Sequence, residues 1–101
     1  MDPQSAVAAR MVEMAEKDPK RLAALSAAAA AGDTATLQGQ AHALKSASAN
    51  LGTRALSAHA KALEMAARAS AVPDAVARVT ALKEAYAAAE SALRQRFVAR
   101  A

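Results

Sequence analysis

The chain has 101 residues, a formal net charge of +4, no cysteine, one tyrosine and one phenylalanine. This length suits one domain with a modest core, and we expect residues 1–101 to form it. Disulfide frameworks and thiolate metal sites are excluded because both need cysteine. No apolar run approaches the roughly 20 residues that cross a bilayer, and no signal-peptide pattern opens the chain, so we expect a cytoplasmic protein.

The 13 lysine and arginine residues are scattered along the chain and interleaved with 9 acidic residues. They form no single stripe, and aromatic side chains that could stack on bases make up only 2% of the residues. We therefore expect a solvated surface and no nucleic-acid partner. A small nucleic-acid-binding bundle is the alternative, and it predicts binding that weakens strongly with salt.

Alanine supplies most of the 54% of residues that are hydrophobic, and an alanine-rich chain with few β-branched residues favours helix. No strand-like alternation occurs, and the segments between predicted helices are short. Short connections make sequential helices antiparallel neighbours. We therefore predict an all-α fold, an antiparallel up-down-up-down four-helix bundle with a short additional N-terminal helix.

The first two helices are separated by a restart signal. The first is predicted from Ser5 to about Lys17, and the second begins with Asp18 as N-cap and Pro19 at the first helical position. Gly32 is predicted to end the second helix as its C-cap. The apolar residues expected to face inward from these helices are Val7, Met11, Met14, Leu22, Leu25 and Ala29.

The last three helices are bounded in the same way. Asp33 is predicted to cap the third helix, which ends near Gly52, and Thr53 caps the fourth. The fourth helix ends before Pro73, and Asp74 caps a long fifth helix. The residues expected to face inward from these two helices are Leu56, Ala60, Leu63, Ala67, Val76, Val79, Leu82, Tyr86, Leu93 and Phe97.

His42 is predicted to project from the third helix into solvent. At the helical period, the apolar stripe of this helix is formed by Leu37, Ala41, Leu44, Ser48 and Leu51. His42 lies about 140° from the centre of that stripe. Lys45 and Gln38 flank it on the neighbouring helical rows. An exposed imidazole with a cation beside it suits attack on a phosphoryl group and its storage.

The surroundings of His42 are small, and the small residues are Gly39, Ser46, Ala49 and Ala35. A surface histidine on a helix usually has no role, but a mid-helix glycine costs about 0.5–1 kcal/mol relative to alanine. Gly39 therefore indicates that another surface approaches closely. We expect these residues to form a docking surface.

The second histidine, His59, is predicted at the border of the core, where it makes a hydrogen bond rather than carrying phosphate. A metal pair of His42 and His59 lacks i, i+4 spacing, and Glu64 is the only obvious third ligand, so we expect no metal site. The third helix offers no carboxylate near His42 as a general base. Glycine-rich phosphate loops are also missing from the sequence, so we expect no ATP site.

The segment from Ala41 to Gly52, with the downstream segment from Ala55 to Glu64, resembles the signature of histidine-containing phosphotransfer (HPt) domains. That signature is H-x-L-K-[G/S]-[S/A]-x-x-x-[L/I]-G on a helix of a four-helix bundle. The residues that match it position by position are His42, Leu44, Lys45, Ser46, Leu51 and Gly52. Ser46 stands where glycine is the commoner choice.

The resemblance implies that His42 is phosphorylated in a multistep His–Asp phosphorelay of two-component signal transduction. It would accept the phosphoryl group from an aspartate of a receiver (response-regulator) domain and pass it to another receiver, downstream of a hybrid sensor histidine kinase. Lys45 would contact the phosphoryl oxygens, and Gln38 would donate a hydrogen bond. The chain would be a phosphocarrier without kinase activity and without a cofactor of its own, since Mg²⁺ is expected in the receiver.

Two points stay open at this stage. Met11 is most simply core filler, but Met11, Val12 and Ala35 are also candidates for an apolar rim on which a receiver docks. The main rival to phosphotransfer is a helical-bundle interaction module that binds a protein without chemistry. The rival predicts that His42 receives no phosphate.

Overall fold

Five α-helices make up nearly all of the residues that the computed structural model describes, which are 3–49, 54–69 and 72–100. The helices are α1 (Pro3–Glu16), α2 (Asp18–Ala31), α3 (Thr34–Ala49), α4 (Arg54–Arg68) and α5 (Ala75–Arg100). No strand occurs within these ranges. The predicted all-α fold is therefore confirmed.

Helices α2 to α5 pack around a common core. The most extensive contact is between α3 and α4, while α2 packs on α3 and α5, and α4 packs on α5. Helix α1 lies against α5 and α2. This pairing fits a four-helix bundle with one extra helix. Within the described ranges, no helix is both long and apolar enough to cross a membrane.

The core consists mainly of leucine and alanine. The fully buried leucines are Leu25, Leu37, Leu44, Leu56, Leu63, Leu82 and Leu93. Ala41 on α3 and Ala60 on α4 are both completely buried. Because alanine is small, the backbones of α3 and α4 can approach closely, which places side chains at the edge of that contact within reach of one another.

The junction between α2 and α3 has the predicted caps. Gly32 adopts the left-handed conformation with φ of 71°, which glycine accepts without strain. Asp33 Oδ1 accepts a hydrogen bond of 3.1 Å from the Thr36 backbone N–H, and Oδ2 accepts one of 2.6 Å from the Thr36 hydroxyl. The hydroxyl bond and then the backbone bond lower the pKa of Asp33. Both caps are confirmed.

The prediction that Asp18 caps α2 is wrong. Its side chain is fully buried, with Oδ2 at 2.8 Å from Arg10 Nη2, and its Oδ1 accepts a 2.8 Å hydrogen bond from Arg21 Nη1. Lys17 occupies the N-cap position and makes no side-chain cap. Backbone hydrogen bonding runs through the junction, from the Arg21 N–H to the Lys17 carbonyl. The Asp18 carboxylate is thus held by two arginines and does not cap the helix.

The prediction that Val76 faces inward is also wrong, since it is 60% exposed. The buried row of α5 runs through Ala75, Val79, Leu82 and Tyr86 instead. Ala75 takes the inward position one turn before Val79, which turns Val76 outward. Tyr86 lies in this buried row, and its burial is the main cause that raises the pKa of its hydroxyl.

Several predicted features lie outside the described residues or side chains. Three whole residues lie outside the described ranges, namely Leu51, Gly52 and Thr53. Four further residues lie in described helices, but their side chains are not described, namely Val7, Ser48, Ala49 and Phe97. Their predicted roles stay predictions. Asp74 directly precedes α5, and its carbonyl accepts the Arg78 N–H at 3.0 Å, as the first bond of that helix.

Candidate functional site

His42 projects from α3 at the edge of its contact with α4, and its side chain is 59% exposed. Its neighbour Ala41 and the next residue of the apolar stripe, Leu44, are fully buried. The burial of these two residues fixes the rotation of α3, so that the imidazole lies on the solvent side. His42 is therefore exposed to solvent, as the helical periodicity of the sequence predicts.

Glu64 of α4 reaches across to the imidazole. Its Oε2 lies 2.6 Å from His42 Nδ1, and its Oε1 accepts a 2.6 Å hydrogen bond from Lys45 Nζ. The Glu64 side chain is only 4% exposed, whereas that of Lys45 is 31% exposed. One buried carboxylate therefore joins the two residues of α3 that the sequence analysis singled out.

The charge on Glu64 determines which ring nitrogen carries the proton. The hydrogen bond from Lys45 is the main cause that lowers the pKa of Glu64, burial opposes it, and the bond with His42 adds to the lowering. At neutral pH the carboxylate is ionised and can only accept hydrogen bonds. His42 Nδ1 must therefore donate to it, which leaves the lone pair on Nε2 of the neutral ring.

An open hollow of about 380 Å³ lies beside the imidazole, between α3 and α4. This α3–α4 hollow is lined by Ala35, Gln38, Gly39, His42, Glu64 and Arg68. A Cβ atom added to Gly39 would meet nothing within 4 Å. Among the described residues, no packing contact therefore requires a glycine at position 39, which lines the hollow without a side chain.

The structure brings together only part of the predicted docking surface. Gly39, Ala35 and Ser46 are exposed on α3, and the Ala49 side chain lies outside the described set. Val12 is 54% exposed on α1, and Met11 beside it is half-buried. Because α1 packs on α2 and α5, the docking role of these two residues stays a prediction.

His59 is exposed and not at the border of the core as predicted. It lines a second open hollow of about 290 Å³ together with Asp74 and Arg78 of α5. The predicted position was wrong because His59 precedes the fully buried Ala60, which takes the inward position on that turn of α4. Within the part of the chain that the structure describes, no cluster of three or more His, Cys, Asp or Glu could hold a metal ion.

The sequence analysis missed the contact of Glu64 with the ring. One signal could have revealed it. Glu64 falls on the row of α4 that contains the buried Ala60 and Ala67, so a charged residue occupies an inward-facing position. A buried carboxylate needs a partner, and α3 offers Lys45 and His42.

Comparison with known protein families adds independent evidence. The family model of the Hpt domain matches residues 9–92, a range that contains both α3 and α4. Comparisons with curated proteins and with solved structures find no match.

Proposed function

Because the chain belongs to the Hpt domain family and so has a histidine phosphotransfer role in two-component phosphorelays, we propose that His42 carries the phosphoryl group. Hpt domains are phosphocarriers that interact with receiver domains. We propose that His42 accepts the group from a receiver aspartate and passes it to another receiver. The chain itself has no kinase activity in this proposal.

The observation that supports His42 most directly is the 2.6 Å contact between its Nδ1 and Glu64 Oε2. This contact leaves Nε2 as the ring nitrogen with a free lone pair, on a side chain that is 59% exposed. Glu64 thus orients the His42 ring through Nδ1, as the aspartate orients the histidine of a Ser-His-Asp triad. His59 has no comparable contact among the hydrogen bonds and ion pairs of the described residues.

The proposed step balances without a further base. The Nε2 lone pair attacks the phosphorus of the aspartyl phosphate, the bond from phosphorus to the carboxyl oxygen breaks, and the aspartate leaves as a carboxylate. The ring keeps its Nδ1 proton and becomes positively charged when the new N–P bond forms. Glu64 compensates this charge, as a carboxylate does for an imidazolium. Transfer to the next receiver runs through the same step in reverse.

Lys45 and Gln38 have supporting roles in the proposal. The Lys45 ammonium neutralises Glu64 from the side opposite the imidazole, and this keeps the carboxylate ionised. Glu64 takes one of the three donors of Nζ, so direct contact of Lys45 with phosphoryl oxygens, the role that the resemblance implies, would use another. Gln38 lines the α3–α4 hollow, and in the proposal it donates a hydrogen bond there.

The proposed reaction also needs an upstream kinase, a cellular location and a metal ion. We expect a hybrid sensor histidine kinase upstream, a cytoplasmic location, and no nucleic-acid partner. The Mg²⁺ that screens the phosphoryl oxygens is expected in the receiver. We also retain the up-down-up-down order of α2 to α5, which the helix contacts and the short connections support.

The experiment is phosphotransfer from a receiver domain that carries labelled aspartyl phosphate. We expect acid-labile label on the wild type and on His59→Gln, and none on His42→Gln. Label that persists on His42→Gln would overturn the site, and its absence from the wild type with every receiver of the source organism would favour the interaction module.

A further inference from the structure

The two cations next to Glu64 are held very differently. Lys45 Nζ donates to Oε1 at 2.6 Å, and its side chain is 31% exposed. Arg68 Nη2 lies 3.6 Å from Oε2, and its side chain is 67% exposed. Lys45 therefore holds the carboxylate closely, while Arg68 makes a longer i, i+4 contact from a side chain that lies mostly in solvent.

Arg68 and the His42 ring lie next to the same carboxylate oxygen and line the same hollow. Glu64 Oε2, the oxygen near Arg68, is the same oxygen that contacts His42 Nδ1. Arg68 also lines the α3–α4 hollow, whereas Lys45 is not among the lining residues. The hollow therefore lies beside both the imidazole and Arg68, and Ala35, Gln38, Gly39 and Glu64 complete its lining.

The chemistry of the guanidinium suits this position. A phosphoryl group on Nε2 is a dianion, and arginine offers a planar fork of donors that matches phosphate oxygens, whereas lysine acts as a point charge. Glu64 needs Arg68 little, since Lys45 already neutralises it. Phosphorylation would thus offer Arg68 a stronger and better oriented partner than the carboxylate it has at rest.

We infer that Arg68 binds the phosphoryl group carried on His42 Nε2 and that Lys45 serves as the counter-ion of Glu64. This inference rests on the proposed function, because it assumes a phosphoryl group on that nitrogen. Arg68 moves from Glu64 Oε2 to the phosphoryl oxygens on phosphorylation, and Lys45 stays with Oε1. The charged groups that surround the phosphoryl group are then Lys45 from α3 and Glu64 and Arg68 from α4.

The inference can be tested without a receiver. Phosphoramidate is a small donor from which the imidazole takes the phosphoryl group and releases ammonia. The ³¹P resonance of the product is then followed against pH in the wild type, Arg68→Ala, Arg68→Lys, Lys45→Ala and Arg94→Ala. Arg94 is the matched control, because it is 62% exposed and also contacts a glutamate four residues earlier, Glu90, at 3.8 Å.

A bound cation favours the dianion of the phosphoryl group. In Arg68→Ala we therefore expect the acid dissociation constant of that group to fall roughly two- to fivefold, the size of an exposed ion pair. Arg68→Lys should recover part of the loss, and Arg94→Ala should match the wild type. If the phosphoryl group has the same acid dissociation constant in Arg68→Ala as in Arg94→Ala, the inference is overturned.

Failure of the inference and failure of the proposed function give different results. If phosphoramidate modifies His42→Gln as fully as the wild type, the phosphorylated residue is wrong and the proposed function fails. If His42 is modified but only Lys45→Ala shifts the ³¹P titration, the proposed function stands, and the phosphoryl cation is Lys45 rather than Arg68.

Discussion

Glu64 Oε2 lies 2.6 Å from His42 Nδ1, although 22 positions separate the two residues in the chain. The contact joins a carboxylate from the inner row of α4 to an imidazole on the outer edge of α3. It holds the ring in place, and because an ionised carboxylate can only accept, the proton belongs on Nδ1 and the lone pair on Nε2. The proposed function therefore depends on the packing of α3 against α4 as much as on the motif around His42.

The first prediction concerns Glu64→Gln. The glutamine oxygen can still accept from Nδ1, but it cannot compensate the positive charge that the ring gains in transfer. We expect transfer to slow by roughly 10²-fold or more, by analogy with the loss of the carboxylate beside a catalytic histidine. Single-turnover transfer from a phosphorylated receiver measures this rate. Glu84→Gln, a change at an exposed position on α5, is the control, and an equal rate in the two variants would contradict the role of Glu64.

The second prediction concerns Lys45→Ala. From the sequence alone, Lys45 is an exposed lysine whose removal slows transfer and hardly affects folding. The structure changes the second expectation, because Lys45 neutralises a carboxylate that is 4% exposed. We expect slower transfer and also a lower urea midpoint of unfolding. Lys61→Ala, at an exposed position on α4, should change neither, and a Lys45→Ala protein as stable as wild type would show that Glu64 does not need this partner.

The third prediction is a pH dependence of stability. Hydrogen bonds from Lys45 and His42 hold the pKa of Glu64 below its ordinary value of 4.5. A lowered folded pKa means that the contribution is complete above pH 4.5 and is lost as pH falls through the folded value. Urea unfolding between neutral and acid pH should show this loss. In Glu64→Gln the same pH range should cost less stability, whereas parallel curves for wild type and variant would contradict the assignment.

The fourth prediction separates docking from folding at Gly39. Because a Cβ there meets nothing within 4 Å, Gly39→Ala should raise the free energy of unfolding by about 0.5–1 kcal/mol through helix propensity. Gly39→Leu should keep the fold and slow transfer, since the side chain fills the space that a receiver needs. Circular dichroism and receiver transfer test the two effects. Unimpaired transfer by Gly39→Leu would mean that receivers dock elsewhere.

The fifth prediction concerns the buried pair of Arg10 and Asp18, whose side chains are 4% and 0% exposed. In Asp18→Asn the buried arginine loses its 2.8 Å partner and keeps only the longer contact with Glu13, at 3.6 Å. Breaking such a pair costs about 3–5 kcal/mol. Glu90→Gln removes an exposed pair with Arg94 and should cost about 1 kcal/mol or less. Denaturant unfolding compares the two, and a similar small loss in both would show that Arg10 finds other partners.

Local features were predictable from the sequence because their partners are near in the chain. Gly32 and Asp33 act within one turn, so spacing alone identifies them as caps. Asp18 has the same residue type as Asp33, but its partner Arg10 comes from the preceding helix, and only the tertiary structure shows that contact. Val76 was predicted to be buried because alanine and valine alternate at the start of α5. Both Ala75 and Val76 could therefore face the core, and the structure buries Ala75.

The candidate site divides in the same way. The exposure of His42 followed from the helical period, since one helix determines it. The partner of its Nδ1 did not, because Glu64 lies on another helix and its role depends on how closely Ala41 and Ala60 let α3 and α4 approach. Lys45 was recognised by type and spacing, but its actual contact, Glu64 Oε1, changes what it does.

The most direct measurement is the position of the phosphoryl group on the phosphorylated protein. Long-range ¹H–¹⁵N correlation spectra of the histidine rings distinguish the two nitrogens of each ring. We predict that phosphorylation shifts Nε2 of His42, that Nδ1 of the same ring keeps its proton, and that the spectrum of His59 stays unchanged. A phosphoryl group on Nδ1 of His42, or on His59, would contradict the account.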